Sequence, residues 1–161
     1  SPHLTTELFR LQAKLDITHV PYKGTPQAVT DLIAGQVSMM FGNTLSVLPF
    51  VNSGRLRALA ISSAKRSGAA PSLPTVAEGG MPGFETTTWF GLMIPSGAPR
   101  DIATRLGAEM RRIAQNKVLA DLLLAQGADV IGSNAEEFAA RINSDVAKWA
   151  VTIKAANVRA D

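Results

Sequence analysis

Short apolar runs alternate with capped helical segments over the first sixty residues of this chain. The runs occupy residues 17–22, 37–41 and 56–61, and Pro, Gly or Asn residues bound them. Parallel strands are joined by crossover connections that usually contain a helix, whereas antiparallel strands need only a short turn. The alternation therefore predicts an α/β fold with βαβ units and a parallel sheet. A further apolar run at residues 89–94 predicts one more strand.

Residue types that start and end helices stand between these runs. Thr25 is expected to cap a helix that begins at Pro26, and Gly35 to end it. Residues 45–52 predict a further short helix. Ser1 is expected to cap a first helix in the same way, with Pro2 at its first position.

The chain beyond Pro99 reads as helical. Apolar residues recur at helical spacing over residues 102–113, 118–123 and 138–153, which predicts three amphipathic helices. Ser133 and Glu136 match the spacing of a capping box at the start of the last one.

Composition excludes several classes of protein. The chain has 161 residues, 46% of them apolar, which is too many for a disordered segment. It has no cysteine, so disulfides, thiolate nucleophiles and Cys-ligated zinc are excluded. The net charge of +3 comes from scattered Lys and Arg residues, and we expect no nucleic-acid partner. No apolar stretch reaches the length of a membrane span, and residues 1–4 lack the features of a signal peptide.

Motifs that carry catalysis have no match in the sequence. The nucleophile elbow G-x-S-x-G, the dinucleotide and phosphate loops and the zinc motif H-E-x-x-H do not occur. Most carboxylates fall on predicted solvent faces of helices. We therefore expect no enzyme, no cofactor and no metal.

The strongest local signal is the junction between the first strand and the next helix. The strand ends near Tyr22, Gly24 permits a tight turn and close approach, and a helix begins at once. The first backbone N–H groups of a helix have no intrahelical acceptor, and the helix dipole adds positive potential there. The N–H groups of Thr25, Gln27 and Ala28 are thus candidates to bind a carboxylate or phosphate, while Pro26 cannot donate. The alternative is an ordinary turn hydrated by water.

Other side chains are expected near the same edge. In a parallel sheet the carboxyl ends of the strands meet at one rim, where ligands collect. The helix starts near Ser1, Thr25 and Asn43 would then converge. Tyr22 and Phe41 could form the walls of the pocket, although either could be a core residue, and Asn43 could serve only as a helix cap.

Several motifs resemble the periplasmic solute-binding receptors of tripartite tricarboxylate transporters, the Bug or TctC family. These motifs are HVPYKG at residues 19–24, DLIAGQV at 31–37, GRLRALA at 54–60, LPTVAE at 73–78 and WFGL at 89–92. The resemblance extends over the whole chain.

The resemblance implies a two-lobed Venus-flytrap receptor in the periplasm. It would bind a small organic acid and deliver it to membrane transporter subunits, with no catalysis. Residues 1–88 would form ligand-binding lobe two without its opening segment, and residues 89–161 the hinge strand and C-terminal helices that pack on lobe one. In the family, the turn that corresponds to Lys23, Gly24, Thr25 and Pro26 holds the ligand.

Two features of the chain depart from the pattern of the family. Family members are roughly twice as long, so half of the cleft is missing and the chain could self-associate through uncovered apolar faces. Ala98 stands where the family often has a capping Thr. Two other functions stay open at this point, namely the effector-binding domain of a transcriptional regulator or sensor and a small enzyme that acts on carboxylates.

Overall fold

The computed structural model describes residues 2–158 and contains six α-helices in that range. In chain order they are α1 (Pro2–Ala13), α2 (Thr25–Ile33), α3 (Thr44–Asn52), α4 (Arg100–Ala114), α5 (Lys117–Ala125) and α6 (Ala135–Ala156). Each coincides with a segment that the sequence predicts to be helical, so the helical part of the prediction is confirmed. Ser1, the predicted cap of α1, lies outside the described residues.

The glycines that follow α2 and α5 adopt the left-handed conformation that glycine favours. Gly35 follows α2 with φ 75°, and Gly127 follows α5 with φ 93°. Gly127 also lies close to the start of α3, because a Cβ added there would be 2.7 Å from Thr44 Cγ2. The end of α5 and the start of α3 are therefore in contact.

The start of α6 differs by one residue from the prediction. Its N-cap is Asn134, not Ser133, and the capping box pairs Asn134 with Glu137, not Ser133 with Glu136. Asn134 Oδ1 accepts from the Glu137 N–H at 2.8 Å, and Glu137 Oε2 accepts from the Asn134 N–H at 2.8 Å. Adjacent Ser and Asn both cap helices well, so local preference alone could not fix the register.

The apolar runs predicted as strands are non-helical, but they pair very little within residues 2–158. There a single isolated parallel bridge joins Ile61 to Thr75. It is formed by the Ile61 N–H bonded to the Pro74 carbonyl and the Val76 N–H bonded to the Ile61 carbonyl, both at 2.9 Å. A strand needs a partner backbone as well as an apolar sequence, so these runs predict an extended chain without specifying its neighbour.

A capping box follows this bridge. The Thr75 N–H donates to Glu78 Oε2 at 2.6 Å, and the Glu78 N–H donates to Thr75 Oγ1 at 3.1 Å. Arg66 Nε lies 3.0 Å from Glu78 Oε2. This Arg66 hydrogen bond, together with that of the Thr75 backbone, lowers the pKa of Glu78.

The core is small and largely aromatic. Phe84 is buried completely, and Val29 and Val76 are also buried. The ring of Phe84 lies 6.0 Å from that of Phe9 and 6.2 Å from that of Phe41, and the rings of Phe9 and Phe41 are 5.4 Å apart. This cluster connects α1 to residues that follow α2 and to the long connection before α4.

Residues near Trp89 are attached to α6. Trp89 Nε1 donates to Asp145 Oδ2 at 2.6 Å, and Arg141 Nε lies 3.3 Å from the same oxygen. The Trp89 ring packs edge-on against Phe138 with centroids 5.1 Å apart. A Cβ at Gly91 would overlap the Phe138 ring, so glycine is needed there for packing.

Much apolar surface is left uncovered. The chain exposes 11308 Å², whereas a compact monomer of 17.0 kDa exposes roughly 7,700 Å². One stripe of α4 contributes strongly, with exposed fractions between 37% and 48% for Ile102, Leu106, Met110 and Ile113. An exposed apolar stripe of this kind along a helix normally marks an interface.

Candidate functional site

The turn before α2 leaves two backbone donors without acceptors. Gly24 is the N-cap of α2, and no side chain caps this helix, so the prediction that Thr25 is the cap is wrong. Within residues 2–158 the N–H groups of Thr25 and Gln27 have no acceptor. The Ala28 N–H bonds to the Gly24 carbonyl at 3.5 Å, so its expected availability to an anion is also wrong. Pro26 has no N–H, which leaves a pair of donors at the end of the helix dipole.

Neither the backbone conformation nor the packing within the chain requires glycine at position 24. Gly24 has φ −175° and ψ 160°, an extended conformation open to any residue. The tight glycine-dependent turn expected from the sequence is therefore absent. A Cβ at this position would meet only Pro26 Cδ, at 3.7 Å, which is an ordinary contact. A side chain would thus fit the chain itself and would occupy space beside the unpaired amides.

Tyr22 is attached to α2. Its hydroxyl donates to Asp31 Oδ2 at 2.8 Å, and the ring is half-buried. This hydrogen bond raises the pKa of Tyr22, with smaller contributions from burial and from the Asp31 charge. The hydroxyl is therefore engaged within the protein, and the ring remains as a possible wall. Lys23 is exposed at the turn and offers a mobile positive charge.

The other predicted site residues have structural roles of their own. Asn43 is the N-cap of α3, and its Oδ1 accepts from the Leu45 N–H at 3.3 Å. Phe41 belongs to the aromatic core cluster. Within the described part of the chain, no hydrogen bond or ring contact joins either residue to residues 22–28. Ser1 lies outside the described residues.

A pair of stacked histidines was not predicted. The rings of His3 and His19 are parallel within 6°, with centroids 3.8 Å apart. They join the first turn of α1 to the segment that leads into Tyr22, and they line a cavity of about 390 Å³ with Glu7 and Arg10. Because His3 and His19 are sixteen positions apart, no local spacing pattern could reveal the contact.

A second cavity, of about 280 Å³, lies between α3 and the end of α5. Neither cavity is lined by residues 22–28. Among residues 2–158 no three His, Asp or Glu side chains are grouped closely enough to hold a metal ion. In the same range, no helix has the length and apolar character that a membrane crossing requires.

Comparison with known proteins identifies the family. The family model described as "Tripartite tricarboxylate transporter family receptor", TctC, matches residues 1–158. The chain belongs to the TctC family. The TctC match confirms the resemblance seen in the sequence motifs, and members of this family are periplasmic solute-binding proteins and not enzymes.

Relatives of this TctC chain include Protein BugT of Bordetella pertussis, which is 37% identical over 152 residues. The match covers 94% of this chain and 47% of BugT, so the chain spans about half the length of that relative. The TctC match gives no support to the alternative of a transcriptional regulator or a sensor.

Solved structures of TctC proteins share the fold of this chain. Rpa4515 of Rhodopseudomonas palustris, solved with adipate, is 33% identical with a TM-score of 0.90, over 97% of this chain and 52% of that one. MatC of the same species, with bound malate, is 28% identical with a TM-score of 0.81, over 94% and 53%. The fold is thus that of about half a periplasmic binding protein.

Proposed function

We propose that this TctC chain is the ligand-binding half of a periplasmic receptor that captures a small organic carboxylate and delivers it to a tripartite transporter. One observation supports the ligand class most directly. The Thr25 and Gln27 amides, unpaired at the start of α2, suit an anion, and two TctC structures of the same fold were solved with the dicarboxylates adipate and malate.

The proposed site is the α2 start, defined here as residues 22–28, and we propose that Asn43, the N-cap of α3, also contributes to it. One carboxylate group of the ligand accepts from the Thr25 and Gln27 amides, the Tyr22 ring forms a wall, and Lys23 adds long-range attraction. Charged hydrogen bonds contribute about 1.5–3 kcal/mol each, from which ordering costs must be subtracted. Two of them correspond to weak binding, roughly millimolar, by this half alone.

The remaining contacts would come from the other half of the receptor. We propose that residues 1–88 belong to lobe two and that residues 89–161 cross the hinge and pack on lobe one. Partner strands for the extended runs, and a cover for the exposed α4 stripe, would then be supplied by residues outside this chain. Closure of the two lobes about the hinge would enclose the ligand. Without that cover, the chain is expected to self-associate.

Charge selectivity tests this function. The chain is titrated with adipate, malate and the uncharged diamide of adipic acid, and binding is followed by ligand-observed NMR. We expect both dicarboxylates to bind and the diamide to fail, because only a carboxylate gains from the amide pair and the helix dipole. Equal binding of the diamide, or binding of neither acid at millimolar concentration, would refute the proposal.

A further inference from the structure

We propose that Tyr22 and Asp31 form a clip that positions the unpaired amides of α2, with Asp31 acting on the site through Tyr22. The proposal rests on the proposed function, because it assigns the clip to the carboxylate site at the α2 start. Neither residue need touch the ligand with its polar group. Both are therefore positioning residues for binding.

The clip joins the segment that precedes the turn to α2 beyond it. The Tyr22 hydroxyl donates to Asp31 Oδ2 at 2.8 Å, across a separation of nine residues. Asp31 lies six residues beyond the first residue of α2, or roughly 9 Å along the helix axis. The phenol must therefore extend beside the first turns of α2, so the chain entering the turn is fixed relative to the helix.

The turn before α2 lacks the side-chain cap that fixes the starts of three other helices, and α4, whose N-cap is Pro99, lacks one as well. The N-caps of α3, α5 and α6 are Asn43, Asn116 and Asn134, and each side chain accepts from a backbone N–H of its helix. The α2 cap is glycine, which accepts nothing through a side chain. A side-chain cap at α2 would occupy the amides that the ligand needs. The clip holds the turn from the flank and leaves those amides open.

Three variants separate this role from general stability. Tyr22→Phe keeps the ring and removes the donor, Asp31→Ala removes the acceptor, and Asp31→Asn keeps an acceptor oxygen without the charge. Thr104→Ala is the matched control, since Thr104 is an exposed α4 residue whose hydroxyl bonds to the Arg100 carbonyl, outside α2 and residues 22–28. Circular dichroism verifies that each variant keeps its helices.

Readouts without ligand test the clip by itself. Tyr22 is the single tyrosine of the chain, so the absorbance of the phenolate reports its titration alone. Asp31→Ala should return the pKa of Tyr22 towards its ordinary value, because the hydrogen bond that raises it is lost. Tyr22→Phe and Asp31→Ala should both shift the amide NMR signals of Thr25 and Gln27, and Thr104→Ala should leave them in place.

Adipate then tests the connection to binding. Tyr22→Phe and Asp31→Ala should each weaken adipate binding about 3- to 10-fold, and the double variant should bind no more weakly than either single variant. Asp31→Asn should recover much of the lost affinity. Unshifted Thr25 and Gln27 amides in Tyr22→Phe, or wild-type affinity in both single variants, would overturn the clip. If the wild-type chain binds neither adipate nor malate, the proposed function fails, and the ligand-free readouts still decide the clip.

Discussion

Replacement of Gly24 by valine should abolish carboxylate binding while the fold is kept. The side chain would stand next to Pro26 at the start of α2, beside the Thr25 and Gln27 amides. It would block the approach of a carboxylate to both donors. Loss of one charged hydrogen bond costs about 1.5–3 kcal/mol, so a decrease in affinity of at least about tenfold is expected.

The stability of the free chain should change little. The φ of −175° and ψ of 160° at Gly24 suit valine, and the added Cβ has no contact closer than 3.7 Å. Valine is a poorer N-cap than glycine, at a cost of about 1 kcal/mol, and the smaller entropy of the unfolded chain offsets about half of that. The melting temperature should therefore fall by no more than about 4 °C.

Gly97→Val provides the matched control. Gly97 lies in the loop before α4, and a Cβ there would meet no atom within 4 Å. Adipate affinity is measured by NMR titration and unfolding by circular dichroism for the wild type and both variants. The reasoning is wrong if Gly24→Val binds adipate as the wild type does, or if Gly97→Val loses binding to the same extent.

Three further predictions concern other parts of the chain. Asn43→Ala and Asn116→Ala should each cost about 1 kcal/mol in urea unfolding through loss of a cap, but only Asn43→Ala should weaken adipate binding. Arg66 lowers the pKa of Glu78 in the folded state, so this contribution to stability is complete above about 4.5, the ordinary value, and is lost as the pH falls through the folded pKa. In Glu78→Gln the melting temperature should fall less steeply than in the wild type as the pH is lowered through the acid range. An equally steep fall would contradict this. The exposed stripe of α4 should make the chain self-associate or bind an apolar dye at micromolar concentration, and a monomer in analytical ultracentrifugation that binds no dye would contradict it.

Helices were predictable because their signals are local. Apolar spacing of three and four residues, and glycines such as Gly35 and Gly127, act within a few positions of the elements that they define. Cap positions were less certain, because Asn134 stands next to another good capping residue. At α2, the unpaired amides were predictable from the helix start, but the glycine cap was not.

Strand pairing and long-range side-chain contacts could not be predicted from the sequence. The partner of Ile61 and the contact of Trp89 with Asp145 depend on segments distant in the chain. The bond of Asp31 to Tyr22 could not be foreseen, since the two residues lie nine positions apart and outside helical spacing. Such contacts follow from the packed fold and have no local pattern.

The central claim is that the Thr25 and Gln27 amides bind the carboxylate of the ligand. Amide NMR shifts of the labelled chain, recorded during titration with adipate and then with its uncharged diamide, test it most directly. The account predicts saturable shifts that are largest at Thr25 and Gln27 with adipate and absent with the diamide. Shifts centred on another part of the chain, or equal shifts with the diamide, would contradict it.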